Sequence, residues 1–362
     1  MSNLLVRTLG NDGKSLSTSQ PDERVVTPEN LISRLKNKKI VFFTGAGFSI
    51  AWNGSYPDGY RLFLIDDIEA VKENHNFFKV ASLLHINEPN IESTNYKSDC
   101  LNFFKEIKFH LDIYKRYPSL LPSYLDKTIV QQLENEIRDF IKNKFINLVG
   151  AEQFEIANEN INTDIRNIFH YLYKNNKSIS FITTNYDFIV EQIFNSLDVN
   201  IVRGVIDKNA FNDIKLGKDR ISLFKINGGF DVFKDGNGFF IDHNLSLSDC
   251  PNIILPSKEQ NYDDAYFKTV FTKSASKLRD ADVLVFIGYS LPEEDHTIRF
   301  LLKNFFDSEE SDDKEVFIIS RNKDSALSNT YPNAVSIFSK MEELEAIKVL
   351  DGDLSSLVSF IG

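Results

Sequence analysis

Ile40-Val41-Phe42-Phe43-Thr44-Gly45-Ala46-Gly47-Phe48-Ser49 is the stretch on which the reading of the fold turns. Four apolar residues in a row, with no polar alternation, describe a strand covered on both faces, the situation of a strand inside a parallel sheet. The glycines that follow place a tight turn at the carboxyl end of that strand, where open α/β sheets bind ligands. Glycines let backbone approach a phosphate closely, and the amides that follow supply partial positive charge. A plain strand-to-helix turn needs the same residues, so the loop alone names no ligand. A dehydrogenase fingerprint fits poorly. Asp66 and Asp67 lie about 20 residues beyond Gly47, where a ribose-binding acid belongs, but Ile50 stands where a third glycine is needed and Asn53-Gly54-Ser55-Tyr56-Pro57-Asp58-Gly59 breaks the required helix.

Outward from this strand, Thr27-Pro28-Glu29 opens a short helix with a cap, a proline in the first turn and an acid. Apolar runs recur at 179–182, 223–226, 252–255, 283–287, 316–319 and 335–338, and helical spacing fills 186–195 and 266–278. This alternation predicts an α/β fold with a doubly wound, mostly parallel Rossmann-like sheet. Between the first two strands, residues 60–176 carry apolar residues at helical spacing, most clearly Ile129, Val130, Leu133, Ile137, Ile141 and Phe145, and are read as a helical insertion. Residues 27–59 and 177–362 then form the nucleotide-binding domain. Residues 1–26, rich in small and polar side chains, are read as a mobile N-terminal arm that orders against a partner.

Composition narrows the function classes. The 362 residues hold 41 Lys and Arg against 52 Asp and Glu, a formal charge of −11, which opposes non-specific attraction to nucleic-acid backbones or anionic lipid. No apolar run approaches the ~20 residues that span a bilayer, and a cytoplasmic location is expected. Two cysteines, Cys100 and Cys250, cannot build a four-cysteine zinc site. No zinc and no other metal is expected.

Three further strand ends are polar or glycine-rich. Thr183-Thr184-Asn185-Tyr186-Asp187 offers an amide and a carboxylate able to bind ribose hydroxyls or orient a water. Lys225-Ile226-Asn227-Gly228-Gly229 ends the next strand, and Ile287-Gly288-Tyr289-Ser290-Leu291-Pro292 a later one, followed by Glu293, Glu294, Asp295 and His296. Each alone is an ordinary turn; four in this order converge on one edge of a sheet. Neither serine motif completes a nucleophile elbow, and a P-loop is absent.

Together these pieces resemble the sirtuin superfamily of NAD-consuming enzymes, and most closely its zinc-free, helix-inserted branch from bacterial anti-phage defence systems. The resemblance implies that Gly45, Ala46, Gly47, Phe48 and Ser49 cradle the NAD pyrophosphate and that Asp58 lies toward the nicotinamide. It implies Thr184, Asn185 and Asp187 around the ribose and the nicotinamide-side pocket, and Gly288, Tyr289 and Ser290 at the adenosine half. Asn185, Asp187 and Asn227 are the implied catalytic set. Asn227 departs from the pattern, because it stands where the family usually carries a catalytic histidine.

Two functions follow from that resemblance. One is an NAD glycohydrolase that makes nicotinamide and ADP-ribose and depletes NAD as the toxic effector of a defence complex. It would be a homo-oligomer with a partner such as a HerA-type ring ATPase or a short Argonaute, and would need neither membrane nor direct nucleic-acid contact. The other is a weakly catalytic or non-catalytic module that senses NAD or ADP-ribose and regulates a partner. A nicotinamide-dependent oxidoreductase lacks its fingerprint here. Among the histidines, His296 is read as a solvated residue at a helix start near the cleft mouth, and His170 as packed near the sheet. Glu293, Glu294 and Asp295 are read as solvated acids on a loop.

Overall fold

The computed structural model describes residues 22–158, 160–208, 220–306, 313–338 and 345–361. Its centre is an eight-stranded sheet. In chain order the strands are β1 (Val25–Val26), β2 (Lys39–Thr44), β3 (Ser178–Thr183), β4 (Asn200–Val202), β5 (Ile206–Asp207), β6 (Arg220–Lys225), β7 (Val232–Asp235), β8 (Gly238–Ile241), β9 (Val283–Ile287), β10 (Glu315–Ile319) and β11 (Ile347–Leu350). The large sheet runs β1-β11-β10-β9-β2-β3-β6-β4, with every pairing parallel, and β5-β8-β7 form a small second sheet.

Strand periodicity explains why both faces are apolar. Ile40 and Phe42 on β2, Phe181 on β3 and Val285 on β9 bury on one face; Val41, Phe43, Ile182 and Phe286 bury on the other. Helices Pro28–Leu35 and Thr163–Asn175 cover the first face, and helices Ala265–Asp280 and His296–Leu302 the second. At ~1.5–3 kcal/mol for each large side chain taken from water, the two layers bury enough to fix strand register. The doubly wound parallel fold expected from the sequence is the observed one.

From β2 the chain moves to β3 and β6 on one side, then returns to β9, β10 and β11 on the other. The direction reverses between β2 and β9, so their carboxyl ends frame the topological switch point.

Between β2 and β3 lies a set of helices, the longest being Tyr96–Arg116 and Lys127–Val149. Asp126 caps the second by accepting from the Ile129 amide, and Gly150, at φ +94°, ends it. The last helix of this interval, Thr163–Asn175, lies on the sheet itself, where Phe169 meets Phe42 edge-on at 5.3 Å.

Several expectations are corrected. The 1–26 arm lies outside the described residues up to 21, and its end is not free, because Val25 and Val26 pair with Val349 and Leu350. Residues 335–338 belong to helix Tyr331–Ile337 and its end, and the final strand is β11. Residues 252–255 add no strand to the sheet; Ile253 makes one isolated bridge to Gly228. His170 is exposed on its helix rather than packed.

Candidate functional site

The loop after β2 and the loop after β9 touch through glycine. The Gly47 amide donates to the Gly288 carbonyl at 2.9 Å, and the Gly45 amide to the Ile287 carbonyl at 3.1 Å. A Cβ on Gly288 would fall 2.4 Å from Gly47 Cα, and one on Gly47 would fall 2.6 Å from Gly288 Cα. Gly288 also holds φ +62°, a left-handed conformation that side chains resist. The two glycines thus bring both loop backbones into contact at the switch point.

Beside them the β3 loop closes a hydrogen-bonded chain. Asn185 Nδ2 donates to Ser49 Oγ at 2.8 Å and to the Gly45 carbonyl at 2.9 Å, and Ser49 Oγ donates to Asp187 Oδ2 at 2.5 Å. Asp187 Oδ1 accepts from the Ile189 amide at 3.2 Å, so both carboxylate oxygens are engaged. Burial pushes the Asp187 carboxyl above its ordinary range, against the pull of Ser49 and Lys225.

Beneath this chain the floor is ionic. Lys225 Nζ donates to the Asp187 carbonyl at 2.5 Å and lies 2.7 Å from Glu191 Oε1. Arg203 bridges Glu191 at 2.7 Å and Asp231 at 2.6 Å. Burial, the largest single influence, would raise Asp231, but Arg203, Lys225 and His243 together outweigh it and hold that carboxyl well below the usual range. These groups are buried and mutually paired, the condition under which charges are tolerated in an interior.

Asn227 sits across from Asn185. Its Nδ2 donates to the Thr184 carbonyl at 3.4 Å, and Tyr262 Oη lies 2.9 Å from its Oδ1. Asn227, Asn185, Asp187, Thr184, Ser49, Ala46, Asp58, Tyr289 and Asp295 line one cavity of about 200 Å³. Phe63 and Phe145 close it from the side of the helical insertion, with Tyr56 of the preceding segment beside them.

The structure therefore brings together Ala46, Ser49, Asp58, Thr184, Asn185, Asp187, Asn227 and Tyr289. Gly45, Gly47 and Gly288 position the walls through backbone contacts. Phe48 is a correction: its side chain is buried away from the cavity, edge-on to Phe169 at 5.8 Å. Ser290 is exposed and outside the lining, its carbonyl accepting from Asn333. Asp58 stands at the cavity mouth with its carboxylate capping helix Gly59–Leu62 through the Arg61 amide.

Asp295 is a lining residue that the sequence reading left among solvated acids. Its position in a run of acids hid it; only the turn of the loop after β9 brings it inward. No histidine lines the cavity among the described residues, and His296 is exposed at the start of its helix. No cluster of three or more histidine, cysteine or acidic side chains able to hold a metal occurs among the described residues. A larger cavity of about 400 Å³ between helices Tyr96–Arg116 and Lys127–Val149 receives none of the strand-end residues; its Lys108 and Arg138 are paired with Asp112 and Glu134. No helix of the described residues is long and apolar enough to cross a membrane.

Comparison with known proteins bears on this geometry. Residues 179–344 match the model of the SIR2-like domain family, a span from β3 past β10 that holds Asn185, Asp187, Asn227 and Asp295. Among solved structures, a Sir2 homologue in complex with NAD is 11% identical, with 95% of this chain and 94% of that one covered and a TM-score of 0.44. A Sir2 homologue bound to ADP-ribose is also 11% identical, at 92% and 96% coverage and a TM-score of 0.40. A third, from a study of the mechanism and regulation of Sir2 enzymes, is 13% identical, at 92% and 95% coverage and a TM-score of 0.40. No curated protein sequence matches.

Proposed function

We propose that this chain is an NAD glycohydrolase, cleaving NAD to nicotinamide and ADP-ribose. The observation that carries the reading is the Asn185–Ser49–Asp187 chain facing Asn227 in one cavity at the switch point, within and beside a SIR2-like domain. Both Nδ2 protons of Asn185 are spent on Gly45 and Ser49, which leaves its Oδ1 to accept from a ribose hydroxyl. The cavity is smaller than the ~300–1,000 Å³ that encloses a whole ligand. It suits the nicotinamide riboside end of a dinucleotide whose pyrophosphate runs along the 45–49 loop.

Breaking the nicotinamide–ribose bond passes through an oxocarbenium-like state with a neutral leaving group. The needs are a held ribose, exclusion of other nucleophiles and one placed water. Asp187, with both oxygens engaged, acts by fixing Ser49 and through it Asn185. The cellular role we propose is NAD depletion as the effector of an anti-phage complex, gated by homo-oligomerisation and a partner such as a ring ATPase or a short Argonaute.

The test is nicotinamide release from NAD by the purified chain, beside an Asn227→His variant, each alone and with the candidate partner. Release by the natural chain supports hydrolysis. A second reading, a sensor of NAD or ADP-ribose, is favoured by Asn227, whose amide cannot accept a proton near neutral pH. Tight binding without release, with release restored only by Asn227→His, would select it.

A further inference from the structure

We propose that Asp295 is the general base of the cleavage, receiving the proton of the attacking water in place of an imidazole. This rests on the glycohydrolase reading and names a further catalytic residue for it. Three carboxylates line the cavity: Asp58, Asp187 and Asp295. Asp58 caps a helix at the exposed mouth, and Asp187 has both oxygens occupied by Ser49 and the Ile189 amide. Asp58 and Asp295 each keep one carboxylate oxygen outside the hydrogen bonds of their side chains, and of the two Asp58 is solvent-exposed whereas Asp295 is partly buried within the cavity.

Its placement is unusual for its position. Asp295 is the residue preceding helix His296–Leu302, where an aspartate ordinarily caps by accepting from a helix amide, a bond worth ~1 kcal/mol. Here the side chain makes no such bond and instead accepts from the Tyr289 hydroxyl, inside the cavity. The loop that aims it is strained. Leu291, fully buried, holds φ +54°, a left-handed conformation costing ~1–2 kcal/mol for a side-chain-bearing residue. Its carbonyl is pinned by Arg299 Nη1 at 3.0 Å. Strain retained beside a cavity marks a site where geometry is held for use.

The chemistry balances. Water oxygen bonds to the ribose C1′ as the C1′–nicotinamide nitrogen bond breaks and its electron pair leaves with neutral nicotinamide; one water proton passes to an Asp295 carboxylate oxygen and thence to solvent. The groups around Asp295 are Tyr289 and Glu294 on its own loop, Tyr186 of the cavity lining, Tyr262, Lys105 from helix Tyr96–Arg116, and His296. Burial raises the Asp295 carboxyl above its ordinary range, while the Tyr289 hydrogen bond opposes that rise. A base must be deprotonated, so activity falls as pH drops toward that raised value.

The experiment uses the full chain and its Asp295→Asn, Asp295→Glu and Asn185→Ala variants, measuring both NAD binding by calorimetry and nicotinamide release from pH 4 upward. Asp295→Asn should lower release about 10²–10⁴-fold, keep NAD binding and erase the acid limb of the pH profile; Asp295→Glu should restore part of the rate. Release by Asp295→Asn at the natural rate with the acid limb intact, while Asn185→Ala is inactive, overturns the assignment and leaves the hydrolase standing. Loss of binding equal to the loss of release also overturns it, as a structural role. Binding without release by the natural chain sinks hydrolysis and this assignment together.

Discussion

Ser49 and Asp187 stand 138 residues apart in sequence and 2.5 Å apart in space, the serine donating to a buried carboxylate that it shares with the Ile189 amide. That single bond ties the glycine loop of β2 to the polar end of β3. Asn185, donating to the same Ser49 oxygen, is oriented by it.

Substituting Asn185 with Ala removes two hydrogen bonds and the free amide oxygen at once. We expect nicotinamide release to fall at least ~10²-fold, as for loss of a group acting only in the transition state. The check is steady-state turnover beside the melting temperature. A variant with full activity removes the assignment.

Asp187 makes stability depend on pH with a definite sign. Its folded carboxyl is raised by burial above the unfolded value, so between the two values the folded state binds more protons. Stability from this group is greatest in acid and is lost as pH rises through its raised value. Melting temperatures from pH 4 to 8 should show this fall in the natural chain, and Asp187→Asn should flatten it. An unchanged slope in the variant rejects the account.

The glycine contact predicts a contrast. Gly288→Ala puts a Cβ 2.3 Å from the Gly47 carbonyl carbon at a positive φ, whereas at Gly54 an added Cβ meets nothing within 4 Å. Gly288→Ala should cost about 2 kcal/mol or more, from the left-handed backbone and the clash together. Gly54→Ala should stay within ~0.5 kcal/mol, as surface changes do. Denaturant titration of both variants measures the difference.

Lys225→Met would leave the buried Glu191 and Asp231 short of a cation and release the Asp187 carbonyl. Removing one partner of such a buried network costs about 3–5 kcal/mol. Thermal unfolding should report that loss even with no nucleotide present, which separates it from a binding defect.

Local residue pattern is enough to specify the parallel sheet. Runs such as 40–43 and 283–287 are apolar at every position, and only a strand covered on both sides can bury them. It also marked the strand ends that carry Asn185, Asp187 and Asn227, because amides and carboxylates there interrupt the apolar runs. Short apolar segments near the end of the chain were not legible in the same way. Residues 335–338 read as a strand yet continue a helix opened at Tyr331, while β11 carries Lys348 among apolar neighbours and escaped notice. The direction in which the loop side chains point comes instead from packing between distant segments. Phe48 turns into the core and Asp295 out of an acidic run into the cavity, because backbone strain at Leu291 and the glycine contact at Gly47 and Gly288 aim these loops. Such aim depends on contacts between segments more than a hundred residues apart, which local pattern does not encode.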